Sequence, residues 1–189
     1  MSGLVLARRH FVTICLSIAL MAFGAGLSKA DQAERAAIDA AADLALQQLY
    51  SENPGAQTLA GKAEALLIFP SITKAGLGVG AQAGKGVLRQ ADESVAYYRT
   101  RGVSFGFQAG AQTFGYVLMF MTDSAYQEFL SKKGFELGVD ASVAVIEAGA
   151  SATIDTTNVK ADTLAIVFNE KGLMYSATIE GSKISRLDI

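Results

Sequence analysis

The sequence predicts an α+β domain in which an N-terminal helix packs on a strongly curved, mainly antiparallel, glycine-rich β-sheet or barrel-like domain. Two patterns predict this fold. An alanine-rich segment at 31–50 lacks Gly and Pro and carries one apolar stripe, and the segments 74–84 and 102–112 alternate apolar residues with glycine or polar residues. The first spacing is typical of an amphipathic helix, and the second of a strand with one buried face.

The first thirty residues have the pattern of a secretory signal peptide. A twin arginine at 8–9 precedes an apolar run over 11–27, and small residues at 28 and 30 flank a cleavage site after Ala30. We therefore expect a single domain over 31–189 in an exported protein, periplasmic or associated with the envelope. An uncleaved anchor is the alternative, because the apolar run is near the lower length for spanning a bilayer. General secretion and the twin-arginine route both remain open.

Removal of residues 1–30 limits the chemistry that the chain can perform. The only histidine, His10, and the only cysteine, Cys15, leave with this segment, and there is no tryptophan. What remains cannot form a His-dependent nucleophile, a zinc site of His and Cys, or a disulfide. We expect no enzyme, no cofactor and no metal. A carboxylate-based glycosidase would need a close pair of acids, and no spacing indicates one.

The net charge bears on the partner. Of 16 Lys and Arg, three lie in residues 1–30, which contain no acid. The remaining chain has 13 bases against 18 acids, a net charge of −5. A nucleic-acid-binding protein needs a basic surface, so we expect no nucleic-acid partner.

The helical segments come first along the chain. The apolar stripe of the 31–50 helix consists of Ile38, Ala42, Ala45, Leu46 and Leu49. Asn53-Pro54-Gly55 ends this helix, and a second helical piece is predicted from Thr58 to about Ala65.

The glycine-rich segment 74–86 resembles a phosphate-binding loop only superficially. The P-loop spacing would place its first glycine at Val79, and the dinucleotide fingerprint would place its third at Ala83. The glycines instead form one face of a strand, where they permit strong coiling and the close approach of another layer.

The remaining segments complete a sheet of seven to nine antiparallel strands. A short helix is expected from a cap at Thr122 or Asp123 to Lys132-Lys133, ended by Gly134. The strands predicted at 163–168 and 173–181 form a hairpin with the four-residue turn NEKG. The further strands are predicted at 94–100, 115–121, 137–145, 163–168, 173–181 and 182–189.

Four motifs resemble those of the SYLF domain, also called DUF500 or the Ysc84-like actin-binding family. They are LIFPSITKAGLGVGAQAGKGVLR, VSFGFQAGAQTFGYVLMFMTD, GVDASVAV and AIVFNEKGLMYSATIEGSKISRL, in this order, and the resemblance covers about residues 35–187. It implies lipid binding and no enzymatic activity. Eukaryotic relatives bind phosphoinositides, a yeast relative also binds and bundles actin, and bacterial relatives are exported.

The helix 31–50 departs from what the resemblance implies. Eukaryotic members engage membranes through a basic amphipathic N-terminal helix, whereas here Arg35 is the only base beside four acids. Insertion of this helix into an anionic membrane is therefore not expected. Export also makes actin an improbable target.

Five bases are candidates for a lipid-phosphate site, with ordinary solvated surface charge as the alternative reading. If the strands pair as a meander, these bases gather at one end, where they would suit a lipid phosphate. They are Lys74, Lys85, Arg89, Arg99 and Arg101. The leading hypothesis is a domain that binds a phospholipid membrane surface. The alternative is a periplasmic scaffold whose glycine-faced strands dock a protein partner or self-associate.

Overall fold

The computed structural model describes residues 29–140, 143–147, 161–172 and 181–189, without the side chains of 78, 104–109, 147 and 172. The signal-peptide prediction and the strand predicted at 173–181 lie almost wholly outside these residues. The chain divides into two compact units, Met1–Ala37 with Ile189, and Ile38–Asp188. In the described part of the first, the Arg35 guanidinium donates a hydrogen bond to the carbonyl oxygen of Ile189.

Three helices are described, and two match the sequence closely. Helix α1 covers 29–52, and every residue of its predicted stripe is buried. Helix α3 (Asp123–Ser131) begins at the expected cap, because the Thr122 hydroxyl accepts a hydrogen bond from the Ala125 amide at 3.4 Å. Helix α2 (Pro54–Ala60) lies earlier than predicted, since proline suits the first turn of a helix and Ala65 already begins a strand.

The described residues form one six-stranded sheet. In spatial order it runs β3-β6-β2-β5-β4, and β1 also pairs with β2. All pairs are antiparallel except β4 with β5, so the sheet is mixed rather than uniformly antiparallel. The strands are β1 (Ala65–Gln90), β2 (Glu93–Phe120), β3 (Gly134–Glu136), β4 (Ala144–Glu147), β5 (Thr163–Gly172) and β6 (Lys183–Arg186).

A single long hairpin, β1–β2, dominates the sheet. Segments that the sequence predicts as separate strands, among them 74–84 and 102–112, are parts of its two strands. The two residues of its turn, Ala91 and Asp92, both have positive φ, 48° and 66°. Positive φ at both positions is the geometry of a type I′ turn, whose twist matches that of the flanking strands.

The hairpin bends back on itself, and glycine makes this possible. A Cβ atom built on Gly86 would lie 2.2 Å from the carbonyl oxygen of Ile68, and one on Gly84 would lie 2.4 Å from Cδ1 of Ile72. No real Cβ comes so close to a backbone oxygen. The prediction that the glycine face admits another layer is confirmed, and that layer is the earlier part of β1 itself.

Apolar layers lie on both faces of the sheet near the base of the hairpin. The inner core contains Leu67, Phe69, Tyr116, Phe120 and aromatic residues of α3. The residues between them in the strands, including Ile68, are buried on the opposite face of the sheet. Helix α1 also buries its apolar stripe on that side. The predicted α+β architecture, a helix packed on a strongly curved sheet, is confirmed.

Two local predictions were wrong. The alternating segment 137–145 is not one strand, because a turn at 138–140 separates β3 from β4 and Gly138 takes a φ of 83°. The sequence NEKG is not a turn, because β5 continues through it to Gly172. Asn169 adopts a φ of 60° inside β5, near the register shift against β2. The tolerance of asparagine for positive φ thus serves an irregularity within the strand rather than a turn.

Candidate functional site

The bent middle of the hairpin has an outward face of unusual composition. We call it the ribbon face, and its described apolar members are Ala75, Leu77, Val79, Ala81, Ala83 and Val103. Leu77 is 83% exposed, Val79 58% and Val103 67%. Large aliphatic residues grouped on one exposed strip are a mark of an interaction surface rather than of ordinary surface composition.

The alternation that defines these strands places the apolar side outside. From Ile72 to Gly86, the even-numbered residues of β1 with described burial are buried or half-buried, and the odd-numbered residues are exposed. Alternation shows that two faces differ, but not which of them meets the core. Here the bend closes over the glycine side, because only that side lets two layers of backbone come together.

Three of the five candidate bases lie together on the ribbon face, next to its apolar strip. Lys85 is the cross-strand partner of Arg99, and Arg101 follows two residues later on β2, opposite Ala83. The Nε of Arg99 donates a hydrogen bond to Oγ of Ser185 at 3.2 Å, which orients its guanidinium.

The strand register adds a fourth base that the sequence analysis missed. Lys183 of β6 is exposed and is the cross-strand partner of Arg101. The face therefore carries two pairs of like charges directly opposite each other, an arrangement that destabilises a sheet. Lys183 is 82 residues from Arg101 in the chain, so only the pairing of β6 with β2 reveals it.

Arg89 stands apart from this group because it holds helix α1 against the sheet. Its guanidinium lies 2.6 Å from the Asp43 carboxylate and also donates to the carbonyl oxygen of Asp39 at 3.4 Å. The Asp39 carboxylate accepts hydrogen bonds from Ser94 at 2.8 Å and Tyr97 at 2.7 Å. Acids of α1 are thus used in docking onto the hairpin.

Lys74 is also separate, since its side chain lies on the inner face of β1 and is only 1% exposed. Its cross-strand partner is Gln112, which is buried as well. The alternation puts Lys74 on the glycine-bearing side of the strand and Lys85 on the apolar side, but it does not show which of the two sides faces inward. Their even and odd positions put them on opposite faces of the strand.

Other buried polar groups accompany Lys74 inside the bend. Gln82 donates from Nε2 to Oγ of Ser182 at 2.5 Å. Tyr116 lies beside Thr100, and burial raises the pKa of its phenol well above the ordinary value. The interior therefore contains hydroxyl and carboxamide groups as well as an ammonium, which is a costly set to bury without partners.

Two kinds of feature are absent from the described residues. Within 29–140, 143–147, 161–172 and 181–189, no group of three acids, histidines or cysteines is placed to hold a metal ion. None of the helices described has the length and apolar character needed to cross a membrane.

The comparisons with known proteins give one family. No protein of curated function matches this chain. Residues 101–188 match the family model Ysc84, described as "Las17-binding protein actin regulator". The matched segment runs from Arg101 on the ribbon face through β5 and β6, and it includes Lys183. This finding confirms the family that the sequence motifs indicate, and the match to the Ysc84, or SYLF, model lies over residues 101–188.

Proposed function

We propose that this chain is an exported, non-catalytic module that binds anionic phospholipid surfaces through the ribbon face. One observation carries the proposal: an exposed apolar strip borders two opposed pairs of like-charged bases on the same face of one sheet. The bases would lie at the level of the lipid phosphates while Leu77 and Val79 enter the boundary between headgroups and acyl chains.

The magnitudes are adequate for reversible binding. Each Lys or Arg near an anionic surface contributes about 1 kcal/mol, and burial of a Val or Leu side chain contributes about 1.5–3 kcal/mol. The chain after residue 30 has a net charge of −5, so attraction depends on this local cluster and not on the charge of the whole protein. Binding should weaken with salt, because the Debye length falls to about 8 Å at physiological ionic strength.

The location follows from the signal-peptide pattern of residues 1–30. We propose that the segment is removed after Ala30 and that the domain acts in the periplasm or at the envelope. A peripheral lipid-binding domain released on that side of a membrane would meet anionic phospholipid directly. N-terminal sequencing of the secreted chain tests this placement, and a first residue other than Asp31 would contradict the cleavage site.

A protein-interaction module is the second candidate, supported by the edge of β1. Among the described strands β1 pairs only with β2, so within that part of the chain its other edge is available to a strand from a partner or a second copy. The glycine face itself is not the docking surface that the sequence suggests. It is turned inward, where Gly84 and Gly86 already contact the start of β1.

Vesicle flotation of the processed chain, residues 31–189, tests the lipid proposal, because the apolar run at 11–27 would itself associate with vesicles. Vesicles of phosphatidylcholine with graded phosphatidylglycerol or cardiolipin would be used at low and moderate salt. We expect retention that rises with anionic lipid and falls with salt. Arg101→Glu should reduce retention at least tenfold, because it places a negative charge among three bases. Lys62→Glu makes the same charge change at an exposed turn and should have little effect.

The apolar strip has its own matched pair of variants. Leu77→Asp should abolish retention without lowering the free energy of unfolding, because Leu77 is exposed in the free protein. Leu44→Asp changes a similarly exposed leucine on α1 and should leave retention unchanged. Equal losses in both variants, or no retention of the unmodified chain on any anionic vesicle, would contradict the proposal.

A further inference from the structure

Helix α1 covers one end of the ribbon face, the end next to the hairpin turn. Side chains alternate along β1, so Val87 points to the same side as the exposed Lys85, while Leu88 points into the inner core. Val87 is nevertheless fully buried. Tyr97, directly opposite it on β2, donates a hydrogen bond to the Asp39 carboxylate of α1 at 2.7 Å. Helix α1 therefore lies over the continuation of the ribbon face.

Arg89 is a further base on this covered end. It follows Val87 on the same side of β1, so it continues the line of basic residues beyond Lys85. Its guanidinium lies 2.6 Å from the Asp43 carboxylate and donates to the carbonyl oxygen of Asp39 at 3.4 Å. The Arg89 side chain is 13% exposed, and that of Asp43 is 64% exposed. An acid of α1 thus pairs with a base of the ribbon face at the protein surface, where an external anion can compete for it.

The two parts of α1 are attached to the sheet by different kinds of contact. The later part buries Leu46 and Leu49, and such apolar contacts are insensitive to competing ions. The segment 38–43 buries one large side chain, Ile38, and is otherwise tied to the hairpin by carboxylates. Ion pairs at the surface are weak and are screened by salt. The segment 38–43 is therefore the part of the helix that a competing anionic surface can displace.

We propose that the segment 38–43 of α1 is an autoinhibitory strap, which covers the turn end of the ribbon face and is displaced when an anionic surface competes for Arg89. The inference rests on the proposed binding of anionic surfaces by the ribbon face. Displacement would strengthen that binding in two ways, because it uncovers a fifth base and takes two carboxylates away from the same face. The four bases already uncovered are Lys85, Arg99, Arg101 and Lys183.

Neutralising the acids of the strap tests the inference by vesicle flotation of the processed chain. The double variant Asp39→Asn, Asp43→Asn should raise retention on phosphatidylglycerol vesicles about fivefold, the contribution of one additional base near an anionic surface. The matched control is Glu52→Gln with Glu64→Gln, which makes the same change of net charge at two exposed positions outside the strap. It should leave retention unchanged. An equal rise in the control would assign the effect to net charge and overturn the proposal.

Hydrogen exchange read by mass spectrometry observes the strap itself. On anionic vesicles the backbone amides of 38–43 should exchange faster than in the free chain, because the segment has left the hairpin. The amides of 115–120, in the buried part of β2, should keep their exchange rates. In the double variant the amides of 38–43 should exchange faster even without vesicles. Unchanged or slower exchange of this segment in the vesicle-bound unmodified chain would overturn the proposal.

The outcomes separate the strap from the surface on which it acts. Equal retention of the unmodified chain and the double variant on anionic vesicles would refute the strap and leave the ribbon-face proposal intact. If neither chain is retained on any anionic vesicle, the ribbon-face proposal is refuted and the strap with it.

Discussion

Two stretches of the same strand differ sharply in how they use their side chains. In β1, residues 67–69 are fully buried, whichever face they point to. A few residues later, from 73 to 83, the apolar side chains are exposed, while glycine, Lys74 and Gln82 point inward. Both stretches pair antiparallel with β2, and the register shifts after Phe69 and after Leu77 leave residues on both sides paired, so strand pairing alone does not account for the difference.

What differs is the layer available to each face. In the first stretch, Leu67 and Phe69 pack in the inner aromatic core, and Ile68 is buried on the opposite face of the sheet. Both faces of this stretch therefore have apolar neighbours. The second stretch bends, and its inner face meets another part of the same hairpin at a distance that admits only glycine and a few polar side chains. The first stretch therefore stabilises the fold by burying apolar side chains. The second stretch exposes its apolar side chains, so the stability of the core does not explain them.

Truncation of one leucine in each stretch should give the largest contrast. Leu67→Ala removes a fully buried side chain of the core and should cost about 2–5 kcal/mol in the free energy of unfolding. Leu77→Ala should change it by less than about 0.5 kcal/mol, since the side chain is exposed. Urea denaturation of both variants measures the difference. Similar costs would show that the ribbon face is part of the core.

Gly86→Ala sharpens the explanation of the bend. The added methyl would meet the Ile68 carbonyl oxygen and the Phe69 ring, so we expect a loss of about 1–3 kcal/mol, or more if the backbone cannot shift. Gly61→Ala is the matched control, because its Cβ would make only ordinary contacts at 3.6 Å or more. If both substitutions were neutral in urea denaturation, close approach of the two layers would not explain the glycine face.

The tie between α1 and the hairpin should contribute less. Asp43→Ala removes the carboxylate that pairs with Arg89, whose side chain is mostly buried while that of Asp43 is mostly exposed. We expect a cost of about 1 kcal/mol, the upper end of the range for partly exposed ion pairs. The double-mutant cycle with Arg89→Met measures the coupling, and a coupling of zero would show that this ion pair does not hold α1 against the hairpin.

The smallest expected effect on stability is the pH dependence of the contribution from Asp140. Asp140 is a surface charge that stabilises the fold, unlike the bases of the ribbon face. The backbone amide of Glu136 and the Lys132 ammonium hold the pKa of Asp140 below its ordinary value of 3.8. Since the folded pKa is lowered, this contribution is present above about pH 3.8 and is lost as the pH falls through the folded pKa.

Asp140→Asn should therefore unfold at a lower temperature than the unmodified chain at pH 7. The gap should shrink as the pH is lowered below 3.8. Arg101→Glu should show no such gap at pH 7. A thermal unfolding series over pH measures both variants, and a gap for Asp140→Asn that is independent of pH would contradict the assigned cause.

Much of the fold follows from local pattern. The stripe of α1 and the Thr122 cap of α3 depend on residues within a few turns, and both are found as the sequence predicts. The sequence also predicts the alternation of β1 and the close approach that its glycines permit. It does not predict that Lys74 is buried and Lys85 exposed, because alternation does not show which face of the strand meets the core. Lys183 joins the site only through long-range pairing.

The position of the ribbon face at a lipid surface is the claim to test most directly. Residues 31–189 contain no cysteine, so Val79→Cys in this processed chain would carry an environment-sensitive fluorophore at a single site. Adding anionic vesicles should shift emission of this label to the blue, and the same label at Leu44→Cys should not shift. No shift at position 79, or an equal shift at both positions, would contradict membrane binding through the ribbon face.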